Sequence, residues 1–219
     1  MSENRIPLSP GNYYHIYNHA NGDENLFRER ENYLHFLKKY ALYINPLADT
    51  FAYCLMPNHF HFFIRVKSKE ELLFQFSSTF QGTSTLQGVH STLEGLKSLE
   101  RLESLISKKF SHFFNGYTQA YNRRFNRMGS LFIPRFKRKE VETILYFRTL
   151  VQYIHLNPVS HGFTNAPGDW EFSSYNSYLS AVDSDLKKED VMNWFDDNLD
   201  FITLHNQNIP EELFLEMEF

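Results

Sequence analysis

The feature that most constrains this chain is the segment Thr50–Val66. Two runs rich in aromatic and β-branched residues, Thr50–Met56 and His59–Val66, flank Pro57-Asn58. Proline presets one turn dihedral and asparagine tolerates tight turns, so the segment predicts two strands joined as a hairpin. Side chains two apart on a strand share a face. The second strand therefore sets Phe60, Phe62, Ile64 and Val66 on one face and His59, His61, Phe63 and Arg65 on the other.

The rest of the chain adds helices and further strands to that hairpin. Asn12–His19 is rich in Tyr, His and Ile and predicts a strand, which Asn21-Gly22-Asp23 ends. Arg28–Ile44 spaces Tyr33, Phe36, Leu37, Tyr40 and Ile44 as one helical face, with Pro46 just beyond. Glu70–Phe76 and Glu94–Ile106 predict helices, and Gln81–Ser91, rich in Gly, Ser and Thr, predicts a loop. Lys109–Arg127 predicts a longer helix with an aromatic stripe, closed by Gly129. Leu131–Val141 reads as extended and basic, and Glu142–Leu156 as a helix that Asn157-Pro158 stops. The sum is one α+β domain with an antiparallel sheet at its heart. It spans residues 1–180, with an inserted segment at about 67–108, and an acidic, polar C-terminal extension of short helices covers 181–219.

Composition supports a packed core, since 42% of residues are hydrophobic and 17% aromatic. Cys54 is the single cysteine, so no intramolecular disulfide can form, and it is expected to pack in the core. No apolar stretch is long enough to span a membrane and no signal peptide is visible, so the expected location is cytoplasmic. Net charge is −4, but it is segregated. Residues 108–148 carry ten Lys and Arg against Glu140 and Glu142, whereas 183–219 carry eleven acids against Lys187 and Lys188. A basic segment in an acidic chain is the pattern expected when one face meets a polyanion.

Three groups of residues carry chemistry. His59 and His61, two apart on a strand, can share one divalent ion, although a lone pair of this kind also arises without function. Tyr153 and Asn157 stand one helical turn apart, so a tyrosine hydroxyl and a hard amide oxygen suited to magnesium or manganese share a face. The plainer alternatives are a core tyrosine and a helix-ending asparagine. His155 points elsewhere and is expected to pack. Third, Tyr121, Arg123 and Arg124, followed by Arg135, Lys137, Arg138 and Lys139, offer cations for phosphates and a ring for unpaired bases.

Taken in order, several stretches resemble the single-tyrosine transposases of the HUH endonuclease superfamily, especially the REP-associated tyrosine transposase group. They are Tyr14-His15-Ile16-Tyr17-Asn18, Met56-Pro57-Asn58-His59-Phe60-His61, Tyr121-Asn122-Arg123-Arg124-Phe125, Arg135-Phe136-Lys137, Tyr153-Ile154-His155-Leu156-Asn157-Pro158-Val159 and Trp170-Glu171-Phe172-Ser173-Ser174-Tyr175. The resemblance implies a ferredoxin-like domain. It also implies a divalent ion, Mg or Mn, held by His59, His61 and Asn157, with Tyr153 as the nucleophile. Attack would give a 5′-phosphotyrosine link on single-stranded or hairpin DNA, and a free 3′-hydroxyl could reverse the step.

Two rival readings accompany this one. A domesticated, non-catalytic nucleic-acid-binding protein of the same fold would bind DNA without ever becoming attached to it. A metal-dependent hydrolase using His59 and His61 would attack with water and leave no adduct. Pairing of two chains into a homodimer is compatible with the sequence.

Overall fold

The computed structural model describes residues 6–80 and 98–218. Four strands form one sheet, β1 (Tyr13–His19), β2 (Ala48–Leu55), β3 (His59–Val66) and β4 (Lys137–Val141), in the order β2-β3-β1-β4. All pairings are antiparallel. Helix α1 (Arg30–Tyr43) connects β1 to β2, the predicted hairpin connects β2 to β3, and α2 (Lys69–Phe80) and α3 (Leu99–Arg124) precede β4. This β-α-β-β-α-β course with β1 and β3 in the centre is the ferredoxin-like arrangement. A further helix, α4 (Ile144–Ser160), follows β4, and short helices α5 (Tyr175–Tyr178), α6 (Lys188–Met192), α7 (Asn198–His205) and α8 (Glu211–Glu218) complete the chain.

Strand alternation builds two cores. Tyr14 and Ile16 of β1 and Phe60, Phe62, Ile64 and Val66 of β3 pack under α1 and α3, with Phe36, Phe110, Phe113 and Tyr117. The opposite face meets α4. There Phe51, Cys54 and Phe63 pack with Phe147, Leu150, Val151 and Tyr153. The register of β2 against β3 skips a residue between Thr50 and Ala52, so Phe51 is the extra residue of a bulge. The bulge lets Thr50 reach Tyr40 of α1 through a 2.8 Å hydroxyl contact while Phe51 and Ala52 both serve the α4 side.

Several predicted boundaries move. The two helices expected over Glu94–Ile106 and Lys109–Arg127 are one helix, α3, capped by Ser98, whose hydroxyl accepts the Arg101 N–H at 3.3 Å. No proline interrupts it, and Leu102, Ile106, Phe110, Phe113, Tyr117 and Tyr121 form one continuous buried stripe. Helix α4 runs past Pro158 to Ser160. A proline this close to a helix end removes one backbone donor, and the last turn still closes through His161 N–H to Asn157 O at 3.0 Å. Of Leu131–Val141, only Lys137–Val141 is a strand, with an isolated bridge from Phe132 to Ala20. The loop expected over Gln81–Ser91, and with it much of the insertion expected at about 67–108, lies outside the described residues.

The acidic extension packs against the domain. Val191, Phe195, Phe201 and Met217 are buried in the second core, and Trp194 stacks on Phe51 with ring centroids 5.2 Å apart. The outer edge of β2 is covered by the chain that follows α4. Leu55 N–H donates to Phe172 O, Ser174 N–H to Tyr53 O and Lys187 N–H to Thr50 O, each at 2.9 Å.

Candidate active site

The sheet face toward α4 carries the histidines. Cross-strand partners share a face, and the register pairs His19 with His59, Tyr17 with His61 and His15 with Phe63. The His19 ring stacks on His59 at 4.7 Å and the His15 ring on Tyr17 at 4.6 Å. His15, His59 and His61 are all buried.

Helix α4 brings the other half. Thr143 caps it, its hydroxyl accepting Tyr146 N–H at 3.3 Å, and the helix is buried on nearly every side between sheet and extension. Its i, i+4 spacing sets Tyr153 and Asn157 on the face turned to the sheet. Asn157 Oδ1 lies 2.9 Å from His59 Nε2. The Tyr153 ring stands edge-on to His61, centroids 5.3 Å apart, and edge-on to His15 at 6.0 Å. The structure thus gathers His59, His61, Tyr153 and Asn157 at one place between β3 and α4.

The protonation chemistry there is unusual. Burial, followed by the nearby His19 and His161, lowers the His59 pKa to about 4, against the favourable Asn157 contact. A neutral imidazole has one N–H and one lone pair. Yet His59 Nδ1 faces Asn58 Oδ1 at 2.8 Å and Nε2 faces Asn157 Oδ1 at 2.9 Å. Both oxygens are acceptors, so one contact sets lone pair against lone pair unless a cation lies beside it or the Asn157 amide turns over to donate its Nδ2. The Asn157 Nδ2, by contrast, is buried with no hydrogen-bond partner. His61 is held well below its ordinary pKa by burial first and by neighbouring His15 next.

Two imidazole nitrogens and an amide oxygen suit a hard or borderline divalent ion whose remaining positions are taken by water or phosphate. Among the described residues no group of three or more His, Cys, Asp and Glu could hold a metal, so the set depends on the amide and carries no charge of its own.

No family model matches the sequence, and no curated protein matches it. Among solved structures, a REP-associated tyrosine transposase bound to a REP hairpin aligns with 83% of this chain and 87% of its own, with a TM-score of 0.53 and 18% identity. The chain has the fold of a REP-associated tyrosine transposase. The α+β, ferredoxin-like expectation is met, down to the four-stranded antiparallel sheet flanked by helices.

Within that fold the basic residues divide. β4 lies beside β1, with Lys137 opposite Tyr17 and Lys139 opposite His15, so both lysines share the histidine face. Lys137 Nζ stands 5.8 Å from the Tyr17 ring centre and Lys139 Nζ 5.1 Å from that of Tyr146. Arg138, between them, faces the other way. Its guanidinium lies over Phe136 at 5.1 Å and donates to Ser107 Oγ of α3 at 3.3 Å. Arg124 pairs with Glu29 at 3.0 Å, and Arg123 is exposed at the same helix end. Arg135 is exposed and sits at φ +68°, a left-handed conformation unusual for a side-chain-bearing residue.

Tyr121 corrects an expectation. It is buried in the first core, and its hydroxyl donates to Asn25 O at 2.5 Å, so its ring presents no face to a base. The physical reason is the α3 stripe, in which Tyr121 continues the line of Phe110, Phe113 and Tyr117.

Sequence reasoning passed over other residues at this place. His15, Tyr17 and His19 have the parity of one strand face, and His161 stands one turn after Asn157, with its ring 5.0 Å from His59. Those spacings were readable. The covering of Tyr153 by Phe214 of α8, centroids 5.4 Å apart, was not, because nothing local links residue 214 to residue 153. His155 packs as expected. Its Nε2 meets Ser174 Oγ at 2.7 Å and its Nδ1 meets His205 Nε2 at 2.9 Å, tying α4 to the extension.

Proposed function

We propose that this protein nicks and rejoins single DNA strands, with Tyr153 as nucleophile and His59, His61 and Asn157 as ligands of a Mg or Mn ion. The observation that carries the reading is the convergence of His59 and His61 of β3 with Asn157 and Tyr153 of α4, Asn157 lying 2.9 Å from His59 and the Tyr153 ring edge-on to His61 at 5.3 Å. A divalent ion bound there would polarise the scissile phosphate and offset its charge. Attack by the Tyr153 oxygen would form a P–O bond to the phenol and break the bond to the 3′-oxygen, which takes the proton the phenol gives up. The 5′-phosphotyrosine link conserves the phosphodiester energy, so a 3′-hydroxyl can later reverse the exchange without ATP. The lysines of β4 would hold backbone phosphates on the same face, and Arg123 and Arg135 would extend the contact along the strand.

Single-stranded or hairpin DNA is the proposed substrate, because a stacked duplex restricts the in-line approach of a tyrosine to phosphorus. The transposase of similar fold was solved bound to a REP hairpin. A second reading, a binding protein that has lost the reaction, draws support from Tyr153 being only 1% exposed with Phe214 packed on its ring.

The experiment incubates a hairpin oligonucleotide with single-stranded flanks, Mn²⁺ and the protein, and looks for an adduct that survives denaturation. An adduct present in the wild type and lost in Tyr153→Phe supports the nuclease. Tight binding with no adduct over the full range of metals supports the binding protein, and an adduct retained in Tyr153→Phe moves the nucleophile elsewhere.

A further inference from the structure

Each of the two candidate metal-binding histidines has its Nδ1 occupied by a different neighbour. For His59 the neighbour is Asn58 Oδ1 at 2.8 Å, and for His61 it is His15 Nε2 at 2.9 Å. An amide oxygen only accepts, so with Nε2 turned to a cation the single His59 proton would sit on Nδ1, toward Asn58. For His61 the neighbour is another imidazole, and the polarity has two solutions.

His15 is held in place for this contact. It lies in the middle of β1, is completely buried, and stacks on Tyr17, while its ring and that of His61 are inclined by 23° with centroids 5.1 Å apart. Its complete burial disfavours a charged ring, and a neutral one keeps an acceptor lone pair. Between two neutral rings 2.9 Å apart there is one proton. If it belongs to His15 Nε2, His61 must carry its own proton on Nε2, which then has no lone pair for a cation. If it belongs to His61 Nδ1, the His61 Nε2 lone pair is free. His15 Nδ1 is buried with no hydrogen-bond partner.

We propose that His15 is a positioning residue for His61, accepting its Nδ1–H so that the His61 Nε2 lone pair faces the bound ion, as Asn58 does for His59. The inference rests on the metal-site reading above. Such partners fix the tautomer and ring orientation of a ligand and strengthen its basicity, and losing one typically lowers metal affinity about 10–100-fold.

The test has two readouts besides turnover. Mn²⁺ binding is measured by electron paramagnetic resonance on the wild type, His59→Ala, His15→Phe and His15→Gln. Phe keeps the ring stacked on Tyr17 and removes the acceptor, and Gln restores an acceptor. Long-range ¹⁵N NMR on the Mg²⁺-loaded wild type then reports which His61 nitrogen carries hydrogen. The expected result is Mn²⁺ affinity lower by about 10–100-fold in His15→Phe, recovery in His15→Gln, and a protonated Nδ1 on His61. A His59-dependent site that binds equally well in His15→Phe overturns this inference alone, as does a proton on His61 Nε2. Absence of any His59-dependent Mn²⁺ site in the wild type overturns the metal reading itself. If His15→Phe does not fold, the NMR result on the wild type decides.

Discussion

Among the described residues, five histidine rings lie inside the protein as neutral side chains: His15, His59, His61, His155 and His205. Burial is the first cause of the lowered pKa in each. The value falls to about 3 for His15 and to about 4 for His59 and His205, and well below the ordinary range for His61 and His155. Unfolding returns all five to about 6.5. Above that pH neither state binds the protons and the histidines do not affect stability. As pH falls through 6.5 the unfolded chain takes up protons that the folded chain refuses, so stability is lost progressively toward the lower folded-state values. Each ring then costs on the order of 1 kcal/mol at pH 5.5 and 2 kcal/mol at pH 5, so together they cost several kcal/mol. A domain of this kind has about 5–15 kcal/mol in all. The metal-free protein should therefore unfold cooperatively between about pH 5 and 6, taking up close to five protons. Circular-dichroism melts from pH 8 downward, with proton uptake followed in unbuffered solution, measure both quantities. A melting temperature that stays flat to about pH 4.5, or uptake of only about one proton on unfolding, would refute the reasoning.

Three further outcomes are expected. Phe214→Ala removes the ring that lies on Tyr153; it should cost about 1–3 kcal/mol by chemical denaturation and speed both nitration of Tyr153 and adduct formation. Unchanged reactivity of Tyr153 would show that α8 does not limit access. Lys137→Ala and Lys139→Ala should each reduce the salt dependence of hairpin binding by about one phosphate, whereas Arg124→Ala, whose guanidinium is already matched by Glu29, should change it less. Equal effects from all three would place the DNA across the α3 end instead. Arg65→Met strips Asp49 of its 2.5 Å partner while the carboxylate stays buried, so the denaturation midpoint should fall by an amount worth about 2–3 kcal/mol, read against the wild type in urea.

Much of this protein was legible residue by residue. Strand parity placed His59 and His61 on one face and Phe60, Phe62, Ile64 and Val66 on the other, and the sheet obeys it. Helical spacing placed Tyr153 beside Asn157. Charge segregation marked β4 and strand parity sets Lys137 and Lys139 apart from Arg138, but which of the two faces meets the histidines needs the register of β4 against β1. Nor could it show that Tyr121 ends a core stripe, since an aromatic among arginines looks the same whether it faces water or Phe125, which it meets at 4.6 Å.

The sequence by itself therefore determined which side chains share a face of one element, because the periods of strand and helix are fixed by backbone geometry. Only the tertiary structure decided which faces meet. It set α4 on the histidine side of the sheet and closed the 2.9 Å contact between Asn157 and His59, residues 98 positions apart. It turned His15 onto His61 and laid Phe214 over Tyr153. Such contacts follow from how two apolar surfaces pack against opposite sides of one sheet, and no local period in the chain encodes that choice.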